Sequence, residues 1–217
     1  LLAVDVGSVT YWYARLVRLG AGMDAHLSST LASMGSAMPY AVAAKLAHPG
    51  RLVVALAGDG AMQMNGINEL ITVATMWPEW TDPRLPILVL DNGDLGEVSW
   101  EQRELEGDPR FPESQRVSSI PYAEYAKLLG LDGCKVDSAD QVADAWDCAL
   151  VAERPFLIHA VVDPAAPLLP PRLEEAAQKR MLAALEAEGT DAARRAHEFV
   201  LDEINEQEEL LSKLSMS

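Results

Sequence analysis

Leu52-Val53-Val54-Ala55-Leu56-Ala57-Gly58-Asp59-Gly60 reads as a buried strand, a tight turn and the start of a helix that continues from Met62. An apolar run of this kind, closed by glycine, fits a parallel strand covered on both faces. A carboxylate between two glycines at the carboxyl end of such a strand stands where open α/β sheets bind ligands, beside amides that favour anions. Working outward, Leu85 to Leu90 is a second strand-like run, and it ends in Asp91-Asn92-Gly93-Asp94, a further set of oxygens at the same sheet edge. The intervening stretch Ala61 to Trp77 is long enough for one crossover helix, which makes a βαβ unit with oxygens at its top. Taken singly, Gly-Asp-Gly and Asp-Asn-Gly also fit ordinary turns. Their common position after two strands is what points to a metal-bound diphosphate.

The rest of the chain repeats the alternation. The opening Leu1-Leu2-Ala3-Val4-Asp5 reads as a core strand, Val9 to Leu19 has helical spacing, and Ala25 to Ser29 is a short extended return. A small-residue run, Ser29 to Pro39, leads into an Ala-rich helix over Tyr40 to Ala47. Leu95 to Arg103 is a short helix, and Glu104 to Ile120 is polar, Pro-rich and aperiodic, a mobile loop and candidate lid. A helix over Tyr122 to Leu129, a strand over Gly133 to Val136, a helix over Ala139 to Ala152 and a strand over Pro155 to Val162 follow. The expected fold is therefore α/β: a three-layer α/β/α arrangement around a mainly parallel, doubly wound sheet. Pro164, Pro167, Pro170 and Pro171 mark a linker. Beyond it, Leu173 to Glu188 and Asp191 to Leu214 form a helical tail, with Phe199, Val200, Ile204, Leu211 and Leu214 as its apolar side. The expected division is residues 1–172 and a tail, 173–217.

Composition narrows the function. Seventeen basic against thirty-three acidic residues give a net charge of −16, which repels a phosphate backbone and excludes nucleic acid as partner. Any phosphate bound here needs a cation. No apolar run reaches the roughly 20 residues of a membrane-spanning helix, and the acidic face of the tail opposes anionic lipid. Cys134 and Cys148 lack metal-type spacing, which fits packing roles and a reduced, cytoplasmic setting. His26, His48, His159 and His197 are scattered singly and read as surface or core residues. The chain opens on a core strand without an initiator Met, so it is expected to start inside a longer or processed polypeptide.

With these elements in order, residues 1 to 172 resemble the diphosphate-binding domain of thiamine diphosphate-dependent enzymes, in the group of pyruvate oxidase, quinone-linked pyruvate dehydrogenase and acetolactate synthase. The resemblance rests on Gly58-Asp59-Gly60 followed by Asp91-Asn92, on Asp5-Val6-Gly7-Ser8-Val9-Thr10, on Ser33-Met34-Gly35-Ser36-Ala37-Met38-Pro39, and on Pro155 to Val162 with Leu168-Leu169-Pro170-Pro171. It implies that Asp59 and Asn92 coordinate Mg²⁺ through side-chain oxygens and Asp94 through its backbone carbonyl, a hard-oxygen set suited to that ion. Amides near Gly60, Ala61 and Gly93 would take the remaining phosphate charge. Gly7, Ser8, Gly58, Leu95 and Gly96 fall at further cofactor-binding positions. Met34 would force the two cofactor rings into a bent shape, with the Ala32 carbonyl holding the pyrimidine amino group. On Leu95 to Gln102, Val98 would line the substrate pocket and Glu101 would be a polar group near the reacting carbon.

The implied activity is decarboxylation of a 2-keto acid such as pyruvate, in an oligomer. The activating glutamate comes from a pyrimidine-binding domain, supplied by another segment or chain. A pyruvate oxidase-like enzyme is the first expectation; a carboligase of the acetolactate synthase type, an acyl-transferring relative and a non-catalytic cofactor-binding or assembly subunit stand as alternatives. Flavin-using members tend to carry an aromatic residue where this chain has Glu97, so FAD, held by domains absent here, is the less supported cofactor. Asp91 replaces the first Asn of the usual pair, and Trp77 to Pro83 is an insertion at the far end of the crossover helix.

Overall fold

Six strands, β1 (Leu2–Val4), β2 (Ala25–His26), β3 (Val54–Gly58), β4 (Pro86–Asp91), β5 (Asp132–Val136) and β6 (Phe156–Val161), pair in parallel in the order β2-β1-β3-β4-β6-β5. The helices in chain order are α1 (Ser8–Leu16), α2 (Ala37–Ala47), α3 (Asp59–Ala61), α4 (Ile67–Met76), α5 (Gly96–Glu101), α6 (Pro112–Gln115), α7 (Tyr122–Leu128), α8 (Val142–Val151), α9 (Glu175–Glu188) and α10 (Asp191–Ser215). A π turn, Met62–Gly66, joins α3 to α4, and another, Gln102–Glu106, follows α5. This computed structural model describes residues 1 to 170 and 173 to 215; Pro171 and Arg172, at the end of the expected linker, lie outside the described residues.

The apolar strand runs conceal a period of two, as a sheet with both faces covered requires. Ala55, Ala57, Ile87, Val89 and Leu157 pack with Met38, Ala41 and Val42 of α2, Leu70 and Val73 of α4, and Tyr122, Ala123 and Ala126 of α7. The alternate residues Val54, Leu56, Leu88, Leu90 and Ile158 meet Val9 and Tyr13 of α1 and Ala145, Trp146 and Ala149 of α8. Three layers result. The chain moves from β1 to one edge and from β3 toward the other, so the winding reverses between β1 and β3, where open sheets form a crevice at their carboxyl ends.

Several boundaries differ from expectation for identifiable reasons. The helix expected from Tyr40 starts at Ala37, because Pro39 lies in the first turn, where its missing N–H is no loss. Gly58-Asp59-Gly60 is no separate turn: Gly58 ends β3 with extended backbone and Asp59 is already the first helical residue. The insertion after the crossover helix is packed rather than loose. Trp80 is buried, the Lys45 ammonium lies 5.3 Å from the centre of its ring, and Lys45 Nζ donates to the carbonyls of Arg51 (2.7 Å) and Asp82 (2.8 Å).

The described chain divides into two compact units, one of Leu1–Asp94 with Val117–Val162 and one of Leu95–Arg116 with Asp163–Ser217. The sheet belongs wholly to the first. In the second, the Arg103 guanidinium donates from Nε (2.6 Å) and Nη2 (3.0 Å) to the Glu188 carboxylate, and Glu188 also accepts the Arg110 N–H at 2.9 Å. Arg103 and Glu188 expose 7% and 9% of their side chains, so the pair is desolvated. Phe111 N–H and Ser99 Oγ both donate to Gln115 Oε1. The polar stretch read as a free loop is therefore held at Arg103, Arg110, Phe111 and Gln115 by its own charged and amide groups. On α10 the buried residues are Ala193, Ala196 and Val200, which set the helical phase, and Phe199, one residue out of phase, stays 41% exposed. Leu211 and Leu214, further members of the expected apolar side, lie outside the residues whose side chains are described.

Leu157→Ala should cost about 2–5 kcal/mol in urea unfolding, whereas Val151→Ala, at a residue 77% exposed, should stay within about 0.5 kcal/mol. Glu188→Ala leaves Arg103 buried without its carboxylate. A loss of about 3–5 kcal/mol is expected in the second unit, read as faster proteolysis within residues 103 to 116.

Candidate functional site

The parallel register sets Gly58 beside Leu90 and therefore brings Asp59 to the end of β4, where Asp91, Asn92 and Gly93 follow. Asp59 is 3% exposed. Its Oδ1 accepts the N–H of Gly60 at 2.9 Å and its Oδ2 accepts the N–H of Gly93 at 2.8 Å, so one carboxyl group ties two strand ends together. Asn92 Oδ1 accepts the N–H of Asp94 at 3.0 Å. Gly93 has φ +66°, a left-handed turn that glycine adopts without steric cost. The amides of Gly60 and Gly93, expected to face a phosphate, are engaged by Asp59 instead, since a buried carboxyl group must be satisfied locally.

Asp91 adds a second carboxyl group. Its Oδ2 accepts the Ser119 hydroxyl at 2.7 Å and lies 2.8 Å from His159 Nε2. Burial, and the Asp91 carboxyl hydrogen-bonded beside it, push Asp59 up to about 7 against the pull of the Gly60 and Gly93 amides. Burial alone would raise Asp91 too, but hydrogen bonds from Ser119, His159 and Asp59 outweigh it and hold Asp91 below its ordinary value. The two neighbouring carboxyl groups are thus pushed apart, Asp59 upward and Asp91 downward.

Tyr122, fully buried, donates its hydroxyl to the Asp59 carbonyl at 3.1 Å and receives Gln63 Nε2 at 3.1 Å. Its ring meets that of His159 edge to face, with centroids 5.2 Å apart. Burial is the main reason the phenol is pushed up to about 12, so it stays a donor. Sequence reasoning did not single out Ser119, Tyr122 or Gln63, and read His159 as a surface or core residue. The signal that was available for His159 was a lone polar residue within the apolar run of β6.

The small-residue segment is anchored at its far end. Asp5 Oδ1 accepts the N–H of Gly35 at 2.8 Å, and Oδ2 accepts that of Ala37 at 2.9 Å. Met34 is half-buried and Ala32 exposed, with Ala32 at φ +46°, a conformation unusual for a residue with a Cβ. Gly7, at φ +126°, closes β1 and precedes Ser8, the first residue of α1. A Cβ placed on Gly7 or Gly58 would meet no protein atom within 4 Å, which leaves open space at both positions. Gly58, Asp59, Gly60, Ala61, Asn92 and Asp94 are brought together, and Gly7, Ser8, Ala32 and Met34 belong to the same unit. Leu95, Gly96, Val98 and Glu101 lie in the second unit, where Val98 and Glu101 are exposed on α5.

The donors at the ends of β3 and β4 are hard oxygens, and the excess negative charge of Asp59 with Asp91 calls for a cation. Among the described residues no group of three or more His, Cys, Asp or Glu side chains is arranged to hold a metal. A cation here would need the Asn92 amide oxygen and a main-chain carbonyl as well. The set fits a Mg²⁺ that retains ligand phosphates and water in its shell.

The family described as thiamine pyrophosphate enzyme, C-terminal TPP binding domain, matches residues 5–160. The Bacillus subtilis (strain 168) protein YdaP, whose name marks it as thiamine pyrophosphate-containing, is 34% identical over 170 residues, covering 77% of this chain and 28% of that protein. The large subunit of acetolactate synthase isozyme 2 from Escherichia coli (strain K12) is 33% identical over 175 residues, 79% of this chain and 30% of its own length. Among solved structures, the thiamine diphosphate-dependent 4-hydroxybenzoylformate decarboxylase of Rhodococcus jostii RHA1 superposes with a TM-score of 0.64 at 25% identity, over 75% of this chain and 29% of that one. The chain thus spans less than a third of each of these relatives.

Without a cation, the proton that folded Asp59 keeps up to about pH 7 is lost from the unfolded chain near pH 4. The Asp59 contribution to stability should therefore be full at the acid end and fall as pH rises through neutrality. Urea unfolding across that range should show a downward slope that is shallower in Asp59→Asn.

Proposed function

Because the chain belongs to the thiamine pyrophosphate enzymes, as their C-terminal TPP-binding domain, we propose that it holds thiamine diphosphate through Mg²⁺ at the ends of β3 and β4. The observation that carries this reading is the buried Asp59 carboxyl, clamped by the amides of Gly60 and Gly93 next to Asn92. Asp59 and Asn92 would each supply a side-chain oxygen to the ion and Asp94 its carbonyl. Ala61 would offer an amide to the diphosphate, and Gly7 and Gly58, where a Cβ would meet no atom within 4 Å, with Ser8, Leu95 and Gly96, are its further proposed binding positions. Met34 and the Ala32 carbonyl would orient the ring end.

When bound, the cofactor supplies a nucleophilic carbon for a keto carbonyl and accepts the electron pair released by decarboxylation. The substrate proposed is a 2-keto acid such as pyruvate. Val98 would bound its pocket, and Glu101 would pass a proton at the reacting carbon. The glutamate that activates the pyrimidine would come from another domain or chain, so the working enzyme is an oligomer, homo- or heteromeric. No helix among the described residues is long and apolar enough to cross a membrane. With both cysteines free, a cytoplasmic setting is the one we favour.

For the step after decarboxylation, carboligation of the acetolactate synthase type is better supported than pyruvate oxidase-like electron transfer to a flavin. Several relatives are named acetolactate synthases. Glu97, half-buried and raised above its ordinary value by burial and then by Glu101, puts an acid where flavin-using members tend to have an aromatic ring.

Calorimetric titration of the complete protein should show Mg²⁺-dependent binding of thiamine diphosphate, weakened at least about a hundredfold by Asp59→Ala or Asn92→Ala. Absence of binding, with candidate partner chains present, would instead favour an assembly subunit. Pyruvate consumption without an electron acceptor, yielding acetolactate and no flavin absorbance, is the outcome expected of a carboligase; acceptor-dependent consumption with bound flavin would restore the oxidase.

A further inference from the structure

Asp5 is 2% exposed, at the carboxyl end of β1. Its main chain is fixed on both sides, the N–H donating to the Leu56 carbonyl at 2.8 Å and the carbonyl accepting the Thr10 hydroxyl at 2.7 Å. Its carboxylate gathers amides from distant segments: Val6 (2.9 Å) and Gly35 (2.8 Å) on Oδ1, Ala37 (2.9 Å) on Oδ2. Ala37 begins α2, and Ser36, the residue before it, contributes no capping side-chain hydrogen bond. The acceptor that this helix start requires is thus provided from another strand, and its negative charge suits the positive end of the helix.

The segment so anchored has little else to hold it. Apart from the bond to Asp5, the hydrogen bonds between Leu27 and Ser36 are short-range ones, such as Ala32 N–H to the Ser28 carbonyl (3.0 Å) and Ser33 N–H to Ser28 Oγ (3.1 Å). Two positive-φ positions three residues apart, Ala32 at φ +46° and Gly35 at φ +84°, must nevertheless be kept. Gly35 is packed so tightly that a Cβ there would come within 3.0 Å of Asn65 Nδ2, in the π turn that follows Asp59. A backbone held in sparsely populated conformations persists only where its surroundings over-determine it. Asp5 is the group that does so.

We propose that Asp5 is a positioning residue that fixes the Ala32-to-Ala37 segment, and through it Met34 and the Ala32 carbonyl, for the ring end of the cofactor. This rests on the assignment of Met34 and Ala32 made above. The diphosphate end, held at β3 and β4, does not depend on Asp5.

Asp5→Asn in the complete protein separates the two ends, since the amide keeps the shape but turns one acceptor into a donor facing a donor. Amide hydrogen exchange at Gly35 and Ala37 should accelerate at least about tenfold in the ligand-free protein, with β3 and β4 amides unchanged. Thiamine diphosphate with Mg²⁺ should bind at least about tenfold more weakly, while Mg²⁺ with inorganic pyrophosphate stays within about twofold of wild type. Equal weakening of both ligands, unchanged exchange, or faster exchange with unchanged thiamine diphosphate affinity would each overturn the proposal. A wild-type protein that binds neither ligand refutes the cofactor assignment itself, and exchange at Gly35 and Ala37 then decides whether Asp5 holds the segment at all. If Asp5→Asn does not fold, Thr10→Val, which frees the Asp5 carbonyl from outside, should give the same selective pattern at smaller size; an unselective loss there overturns the proposal equally.

Discussion

A carboxyl group buried at the end of a parallel strand has to be answered by donors, and at Asp59 the available donors come from two strands. Gly60 N–H is supplied by its own helix start and Gly93 N–H by the turn after β4. That bridge fixes the spacing between the ends of β3 and β4 and, with it, where Asn92 and Asp94 stand. The Asp59 carbonyl is held as well, by the buried Tyr122 hydroxyl, so both polar ends of the residue are committed. Around it, Asp91, Ser119 and His159 form a second layer that steadies the remaining negative charge. Placing two acids so close is unfavourable by itself, and the divalent ion proposed at this site would relieve it.

How much of this could be read from the residues depends on how far apart in the chain the partners lie. The placement of Asp59 and Asn92 at neighbouring strand ends was legible because each follows an apolar run. The sheet was legible because alternating strands and helices leave few ways to wind a parallel sheet. Tyr122 and His159 were not, since their bonds to Asp59 and Asp91 reach across 63 and 68 residues and no local pattern announces them. Pro39 misled about the start of α2 because proline disrupts a helix interior but not its first turn. Glu104 to Ile120 misled because a polar, Pro-rich composition looks loose, whereas Arg103, Arg110 and Gln115 spend their hydrogen-bonding groups on holding it.

The second unit follows a different rule of construction. Among its described residues there is no strand, and its order is carried by a desolvated bidentate ion pair together with the packing of α9 on α10, where Met181, Leu185, Ala196 and Val200 are buried. Such a pair contributes less to net stability than to uniqueness of arrangement, because removing either partner strands a charge while the intact pair roughly offsets its own desolvation. Val98 and Glu101, assigned to the substrate side, are carried by this unit and answer to its ionic order, whereas Asp59, Asn92 and Asp94 answer to sheet register.

The π turn at Met62–Gly66 acts as a phase setting within the helical run that starts at Asp59. It accommodates one residue more than an α turn uses, and each residue of an α-helix advances the spiral by about 100°. Were the same residues wound as a regular α-helix, the opening turn would be rotated by about that amount relative to α4. The Asp59 carboxyl would then face away from β4, the buried Met62 would turn out of its core cluster, and Asn65 would swing clear of Gly35, with every strand unchanged. The locally less favourable turn is therefore the means by which a helix whose angular position is dictated by the core can still present its first residue to the sheet end.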